Sequence, residues 1–249
     1  MFFFGFPEGN PLSCDYNKTM EIRLLELIDG ARRAEGLTVI IDVFRAFTLE
    51  TAVLSQNPDR LFAVKEVDTA WSLREQFPDS ILIGERHGKI LPGFDYGNSP
   101  FDISYADFSG RTVIHTTSAG TLGLSLASGA EELLAGSMRN AKATAAYIRS
   151  RNPEIVSLVC MGWEGLKSTE EDVLCGEYLK SLLEGVPMKD LQKRCEYLRY
   201  QEGKKFFDPA QKDIFPEGDF WMCITPDCCD FAMRAVKKDF GFEMEKVYA

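Results

Sequence analysis

The chain has 249 residues, 45% of them hydrophobic and 27% charged, the balance of a globular protein rather than a disordered or fibrous one. Its net charge is −10 and its isoelectric point about 4.9. Nucleic acid and anionic membrane are therefore repelled unless basic residues gather locally, and neither is expected as a partner. No apolar run approaches the roughly 20 residues needed to cross a bilayer.

The opening stretch, MFFFGFPEGNPLSCDYN, lacks a basic n-region, and Pro7, Glu8 and Pro11 interrupt its apolar run. It reads as a buried first strand rather than a signal peptide. Residues 36–44, GLTVIIDVF, are a β-branched run without helical period, the mark of a buried strand, and 46–56 follow as a helix. A strand over 60–67 precedes a helix over 68–77 with Asp68 at its N-cap. Residues 80–86 form another strand, and the loop 91–100, LPGFDYGNSP, fits no regular element.

The strand over 111–117 runs into a small-residue helix, SAGTLGLSLASGA. A short strand at 131–137 is followed by a helix over 140–151 capped by Asn140, then a strand over 154–162. Residues 168–185 are a helix with a Ser168–Glu171 capping box and Gly185 at its end. Beyond it, 218–225 reads as a late strand, 229–233 as helical, and 201–219 as the best candidate for a lobe boundary within one α/β domain spanning 1–249. Seven cysteines, with no CxxC pair, point to free thiols in a reducing, cytoplasmic setting.

Strands alternating with helices of roughly 10–15 residues imply parallel βαβ units, whose ligands sit beyond the carboxyl ends of the strands. Polar groups gather at those ends. Asp42 and Arg45 follow 37–41, Glu85, Arg86 and His87 follow 80–84, Thr116, Thr117, Ser118 and Gly120 follow 111–115, Arg139 and Asn140 follow 131–135, and Glu171 and Asp172 follow 154–160. Each has a plain structural reading as a cap, a turn or a surface pair. So many carboxylates, guanidinium groups and hydroxyls at strand ends instead suit an anion held beside a hard cation. The constellation thus reads as metal-assisted chemistry on a small anionic phosphorylated acid, with Mg²⁺ as the metal that suits it.

Other phosphatase signatures fit poorly. An aspartyl-nucleophile DxDx[TV] pattern fails because position 44 is Phe. Cys228 and Arg234 match C-x5-R, but the intervening residues have no glycine and read as helix. Arg86-His87-Gly88 matches the triplet of histidine phosphatases, which also need a second histidine; His115 alone is available, inside a predicted strand.

Five segments, VIIDVFRAFT (39–48), GERHGKILPGFDYGNSP (84–100), VIHTTSAGT (113–121), GSMRNA (136–141) and STEEDVLCG (168–176), carry a family resemblance. In order and spacing they resemble the 2-phosphosulfolactate phosphatases over 36–180. The resemblance implies a three-layer α/β/α sandwich around a mixed, largely parallel sheet. It also implies Mg²⁺-dependent hydrolysis of 2-phospho-3-sulfolactate, or a related 2-phospho-hydroxy acid, to the hydroxy acid and inorganic phosphate, a step toward coenzyme M.

On that reading Asp42, Glu85 and Asp172 hold the metal, Arg45 and Arg86 bind the phosphate, and Asp95 is the base. Thr116, Thr117, Ser118, Gly120, Asn98 and Asn140 contact substrate or shape its loop. The chain departs from the family pattern at Phe44 and at Ser118-Ala119, which reshape the expected pocket. A paralogue that binds a phosphorylated metabolite without turning it over is the alternative outside the enzyme class, and assembly into a homo-oligomer is left open.

Overall fold

The computed structural model describes residues 20–86 and 88–249; the expected first strand within 1–17 and His87 lie outside the described residues. The strands are β1 (Glu21–Glu26), β2 (Gly36–Ile41), β3 (Arg60–Val64), β4 (Ile81–Arg86), β5 (Lys89–Ile90), β6 (Thr112–Thr116), β7 (Ala130–Gly136), β8 (Ile155–Cys160), β9 (Ala232–Lys238) and β10 (Gly241–Val247). The helices are α1 (Leu27–Arg32), α2 (Ala46–Ser55), α3 (Val67–Gln76), α4 (Pro100–Ile103), α5 (Ala119–Leu126), α6 (Ala141–Arg151), α7 (Glu170–Glu184), α8 (Leu191–Tyr197) and α9 (Glu217–Ile224).

The ten strands form one sheet in the order β1-β8-β2-β7-β9-β10-β3-β6-β4-β5. β1, β8, β2 and β7 are mutually parallel, as are β3, β6 and β4. Period-two alternation explains the layers. Along β2, Leu37, Val39 and Ile41 enter one core with Ala145 of α6 and Leu174 of α7, whereas Ile40 enters the opposite core with Leu49 of α2 and Leu124 of α5. On the other parallel block, Phe62, Leu82 and Ile114 pack against Ala70 and Leu73 of α3. Helices cover both faces of a mixed sheet, which is the α/β/α arrangement expected.

The hairpin β9–β10 joins the two parallel blocks through antiparallel pairings on each side. The second block therefore runs opposite to the first, and in a flat sheet their carboxyl ends would face opposite edges. Yet Asp42 beyond β2 and Thr117 beyond β6 line one cavity. Twist resolves this. Neighbouring strands rotate by about 20–25°, and β7 meets β9, like β10 and β3, over only two residue pairs. Such short pairings allow steep crossing, so twist accumulated between the blocks can bring their carboxyl ends toward one site.

Local expectations fail in the last third. The expected late strand 218–225 is instead helix α9 as far as Ile224, because Phe220, Cys223 and Ile224 recur at helical spacing and are all buried. The stretch read as helical, 229–233, runs instead into β9, whose residues pair with β7 and β10. Arg234 lies in that strand and ion-pairs with Glu245 at 2.7 Å, so the C-x5-R match is no phosphate cradle. The N-cap of α3 is Glu66 rather than Asp68, and that of α7 is Thr169 rather than Ser168. Ser168 donates to Glu26 instead, so there is no capping box with Glu171. Among the described residues no helix is long and apolar enough to cross a membrane, and every cysteine is a free thiol.

Candidate active site

A cavity of about 370 Å³ opens where the ends of β2, β4, β6 and β8 converge, lined by Asp42, Arg45, Glu85, Asn98, Thr117, Ser118, Glu171 and Asp172 among others. Asp42 follows the wholly buried β2, and its Oδ1 accepts from Ala46 N at 3.3 Å at the start of α2. α5 leaves β6 and crosses beneath β2, an approach that small residues permit. A Cβ on Gly123 would stand 2.7 Å from Ile40 Cγ2, and one on Gly120 2.8 Å from Phe47 Cζ and 3.3 Å from Asp42 Oδ2. The small-residue helix thereby brings Thr117, Ser118 and its own amino end beside Asp42.

Asp172 ties two strand ends together: Oδ1 accepts from Val43 N and Oδ2 from Gly162 N, both at 2.8 Å. Burial is the chief influence on the acids here. It lifts the Asp42 carboxyl from 3.8 to about 6, with Glu50 and Glu85 adding to the shift and Ala46 N–H and His115 opposing it. Burial lifts Glu171 from 4.5 to about 7, opposed by its backbone amide and by Lys205. Asp172 is held well above the usual carboxylate range, first by burial and then by Glu171 and Asp42. Glu171 Oε2 and Asn98 Oδ1 are buried without a hydrogen-bond partner, which is costly unless something else satisfies them.

Arg45 is buried, and its Nη1 donates to Asp219 Oδ2 at 2.6 Å and to Ile214 O at 2.9 Å. Asp219 also accepts from Ser99 Oγ and Phe101 N. Glu85 Oε2 accepts from Gly88 N at 2.7 Å, which fixes the carboxylate at the cavity edge.

The model of the family described as 2-phosphosulpholactate phosphatase matches residues 23–211. The chain belongs to this family. Three relatives bear the name "Probable 2-phosphosulfolactate phosphatase". Those from Caldanaerobacter subterraneus subsp. tengcongensis and Caldicellulosiruptor saccharolyticus are each 35% identical, over 80% and 82% of this chain and 88% and 92% of their own. One from Bacillus subtilis is 28% identical over 82% of this chain and 88% of its own length. Members of the 2-phosphosulfolactate phosphatase family are phosphoric monoester hydrolases by name, and the five motifs read from sequence lie inside the matched span.

The fold gathers some of the expected residues of this family member and disperses others. Asp42, Arg45, Glu85, Asn98, Thr117, Ser118 and Asp172 line the cavity, and Gly120 lies against Asp42. Asp95 does not line it. Its Oδ2 accepts from Leu82 N at 2.8 Å and Arg74 Nη1 at 2.9 Å, so the carboxylate pins the loop 91–98 back onto β4. Gly84 makes room for that loop, since a Cβ there would stand 2.9 Å from Phe94 Cε2. Arg86 donates to Glu85 O, Lys65 O and Thr116 Oγ1, bracing β4 against β6 and β3 rather than facing the cavity. Thr116 Oγ1 donates to Lys65 O. Asn140 Oδ1 accepts from Ser137 N and its Nδ2 donates to Ala135 O, a turn-closing role in a buried corner.

Asp95→Ala is therefore expected to cost about 1 kcal/mol of stability, as a half-exposed hydrogen-bonded ion pair does, and to change kcat by less than about threefold. Urea unfolding and steady-state kinetics check this; a loss of about 10²-fold in kcat, the scale of a general base, would restore Asp95 to the chemistry.

His115, the second histidine a histidine phosphatase would need, is fully buried, with Nδ1 2.8 Å from Glu50 Oε1. Sequence reasoning missed Glu171 as a cavity residue by reading it as a cap, and missed Trp163, Lys205 and Phe215 outright, although all line the cavity. Lys205 and Phe215 come from the segment 201–219, where no local pattern marks them.

Proposed function

We propose that the protein is a Mg²⁺-dependent phosphatase that hydrolyses the phosphate ester of 2-phospho-3-sulfolactate, or of a related 2-phospho-hydroxy acid, by direct attack of water. The observation that carries this reading is the cavity itself: Asp42, Glu85 and Asp172 stand in it beside the hydroxyls and amino end of α5, in a chain of this family. Among the described residues no three Asp, Glu, His or Cys side chains already converge on one point. Mg²⁺ commonly takes only one or two carboxylates and completes its shell with water and phosphate oxygens, so this donor set fits. When bound, the metal would supply charge neutralisation at the phosphate and acidify water.

The remaining chemistry belongs to the chain. The amino end of α5, with Thr117 and Ser118, offers N–H and O–H donors to the phosphoryl oxygens. Arg45 balances charge that builds on the phosphate in the transition state, and Asp219 keeps its guanidinium in place. With Asp95 engaged elsewhere, Glu171 is the carboxylate free to orient the attacking water and take its proton. Asn98 shapes the cavity wall next to Ser99, which Asp219 holds.

The test is phosphate release from phosphosulfolactate, phospholactate and phosphoglycerate, with Mg²⁺ or with chelator. Mg²⁺-dependent turnover, fastest on phosphosulfolactate, is the expected result. Saturable binding without release from any of the three would replace the enzyme with a phospho-metabolite-binding protein.

A further inference from the structure

Among the described residues, Lys205 is the cation of the cavity with no ion pair at contact distance, and Glu171 and Asp42 act on its charge only from farther off. Arg45 is paired with Asp219, and Lys167 lies 4.0 Å from Glu202. Among the described residues, Lys205 has neither a carboxylate at ion-pair distance nor a hydrogen-bond acceptor. Its ammonium stands instead in a collar of aromatic rings, 4.9 Å from the centroid of Trp163, 5.0 Å from Phe215, 5.4 Å from Phe206 and 5.8 Å from Phe44. Ring faces attract a cation within about 6 Å, but they cannot satisfy three N–H donors or cancel a charge taken out of water. Arg45 adds to the imbalance, since its guanidinium also lies over Phe215, 4.8 Å from the centroid. A half-buried ammonium that has no acceptor among the described residues and stands beside a second cation leaves its three N–H donors open to a bound anion.

We infer that Lys205 and its aromatic collar form the subsite for a second, sulfonate-type anion of the substrate, and that Lys205 sets specificity for it. The inference rests on the phosphatase reading above, in which the phosphoryl group is held at the amino end of α5. Lys205 comes from a different element, the turn Glu202–Phe207. A planar carboxylate is best met by a guanidinium fork or paired amides, whereas an ammonium is a point charge with three donors. Three sulfonate oxygens match three N–H groups. A monoanion that spreads its charge over three oxygens also loses less on entering aromatic walls than a phosphate dianion does.

The experiment compares the wild-type chain with Lys205→Met and Lys205→Arg, binding 3-sulfolactate, lactate and inorganic phosphate by calorimetry in chelator, with kinetics on phosphosulfolactate and phospholactate alongside. Wild type is expected to bind 3-sulfolactate about 10- to 100-fold more tightly than lactate, the worth of hydrogen bonds to a charged group. Lys205→Met should bring the two within about twofold, with phosphate binding unchanged, and Lys205→Arg should keep part of the preference. In kinetics the loss should fall on phosphosulfolactate alone.

An undiminished sulfolactate preference in Lys205→Met overturns the inference, as does an equal loss for lactate or phosphate, which would put Lys205 at the carboxylate or phosphoryl end. Circular dichroism and the melting temperature of both variants show whether the fold is intact; Lys205→Arg keeps the test open if Lys205→Met unfolds. If wild type releases no phosphate from any ester yet still binds sulfolactate through Lys205, the phosphatase reading fails and the subsite stands.

Discussion

Asp42→Asn is expected to lower phosphate release by about 10³-fold or more, the scale on which a transition-state electrostatic contact is lost, and to remove the Mg²⁺ response that the proposed function calls for. The same variant is expected to be more stable than wild type at neutral pH. Asp42 is buried, and its folded-state carboxyl holds its proton up to about pH 6, against 3.8 ordinarily. Between those values the folded chain binds more protons than the unfolded one, so stability falls as pH rises through the interval and the penalty is complete above it. Asparagine has no charge to desolvate. Its gain, a few kcal/mol by the same linkage, is present at pH 7.5 and absent near pH 4. Melting curves at the two pH values, set beside phosphate-release assays, test both halves. Full activity in Asp42→Asn, with an unchanged Mg²⁺ response, would remove Asp42 from the metal site. Metal and proton compete for these carboxylates, so Mg²⁺ should raise the wild-type melting temperature more at pH 7.5 than at pH 5.5.

Asp219→Ala, behind the cavity wall, is expected to be strongly destabilising, at about 3–5 kcal/mol, the cost of stripping one partner from a buried ion pair. Asp219 is fully buried and serves three donors: Arg45 at 2.6 Å, Ser99 Oγ at 2.7 Å and Phe101 N at 2.9 Å. Its loss strands the Arg45 guanidinium and frees the turn that starts α4, so activity falls with stability. The double substitution Arg45→Met with Asp219→Leu separates the two effects. Replacing both charges by apolar groups of similar size removes the stranded cation and should recover most of the stability, while phosphate release stays low because Arg45 is gone. Urea unfolding of the single and double variants reads the first, and kcat/KM the second. A double variant as active as wild type would take Arg45 out of the chemistry; a cost below about 1 kcal/mol for Asp219→Ala, as for an exposed pair, would show that the site is not desolvated.

The sequence by itself determined the strand–helix alternation from 36 to 185, because strands buried on both faces and helices with one apolar stripe leave period-specific patterns in the chain. It also determined which chemistry-bearing residues stand at strand ends, including Asp42, Glu85, Thr117 and Asp172. Contacts across the fold decided the rest. Asp95 and Arg86 have the same composition-level credentials as Glu85, but one is claimed by Leu82 N and Arg74 and the other by the carbonyls of Glu85 and Lys65; nothing local to either residue announces those partners. Lys205 and Asp219 lie where no motif marks them; the one reaches the cavity and the other reaches Arg45 behind its wall only because the C-terminal segments fold back on the strand ends. The reversal of the second strand block is likewise set by the β9–β10 hairpin, over 100 residues downstream of the strands it reorients. Periodicity is a property of neighbours along the chain, whereas the partner of a polar side chain and the direction of a strand block are settled by residues far off in sequence that meet only on folding.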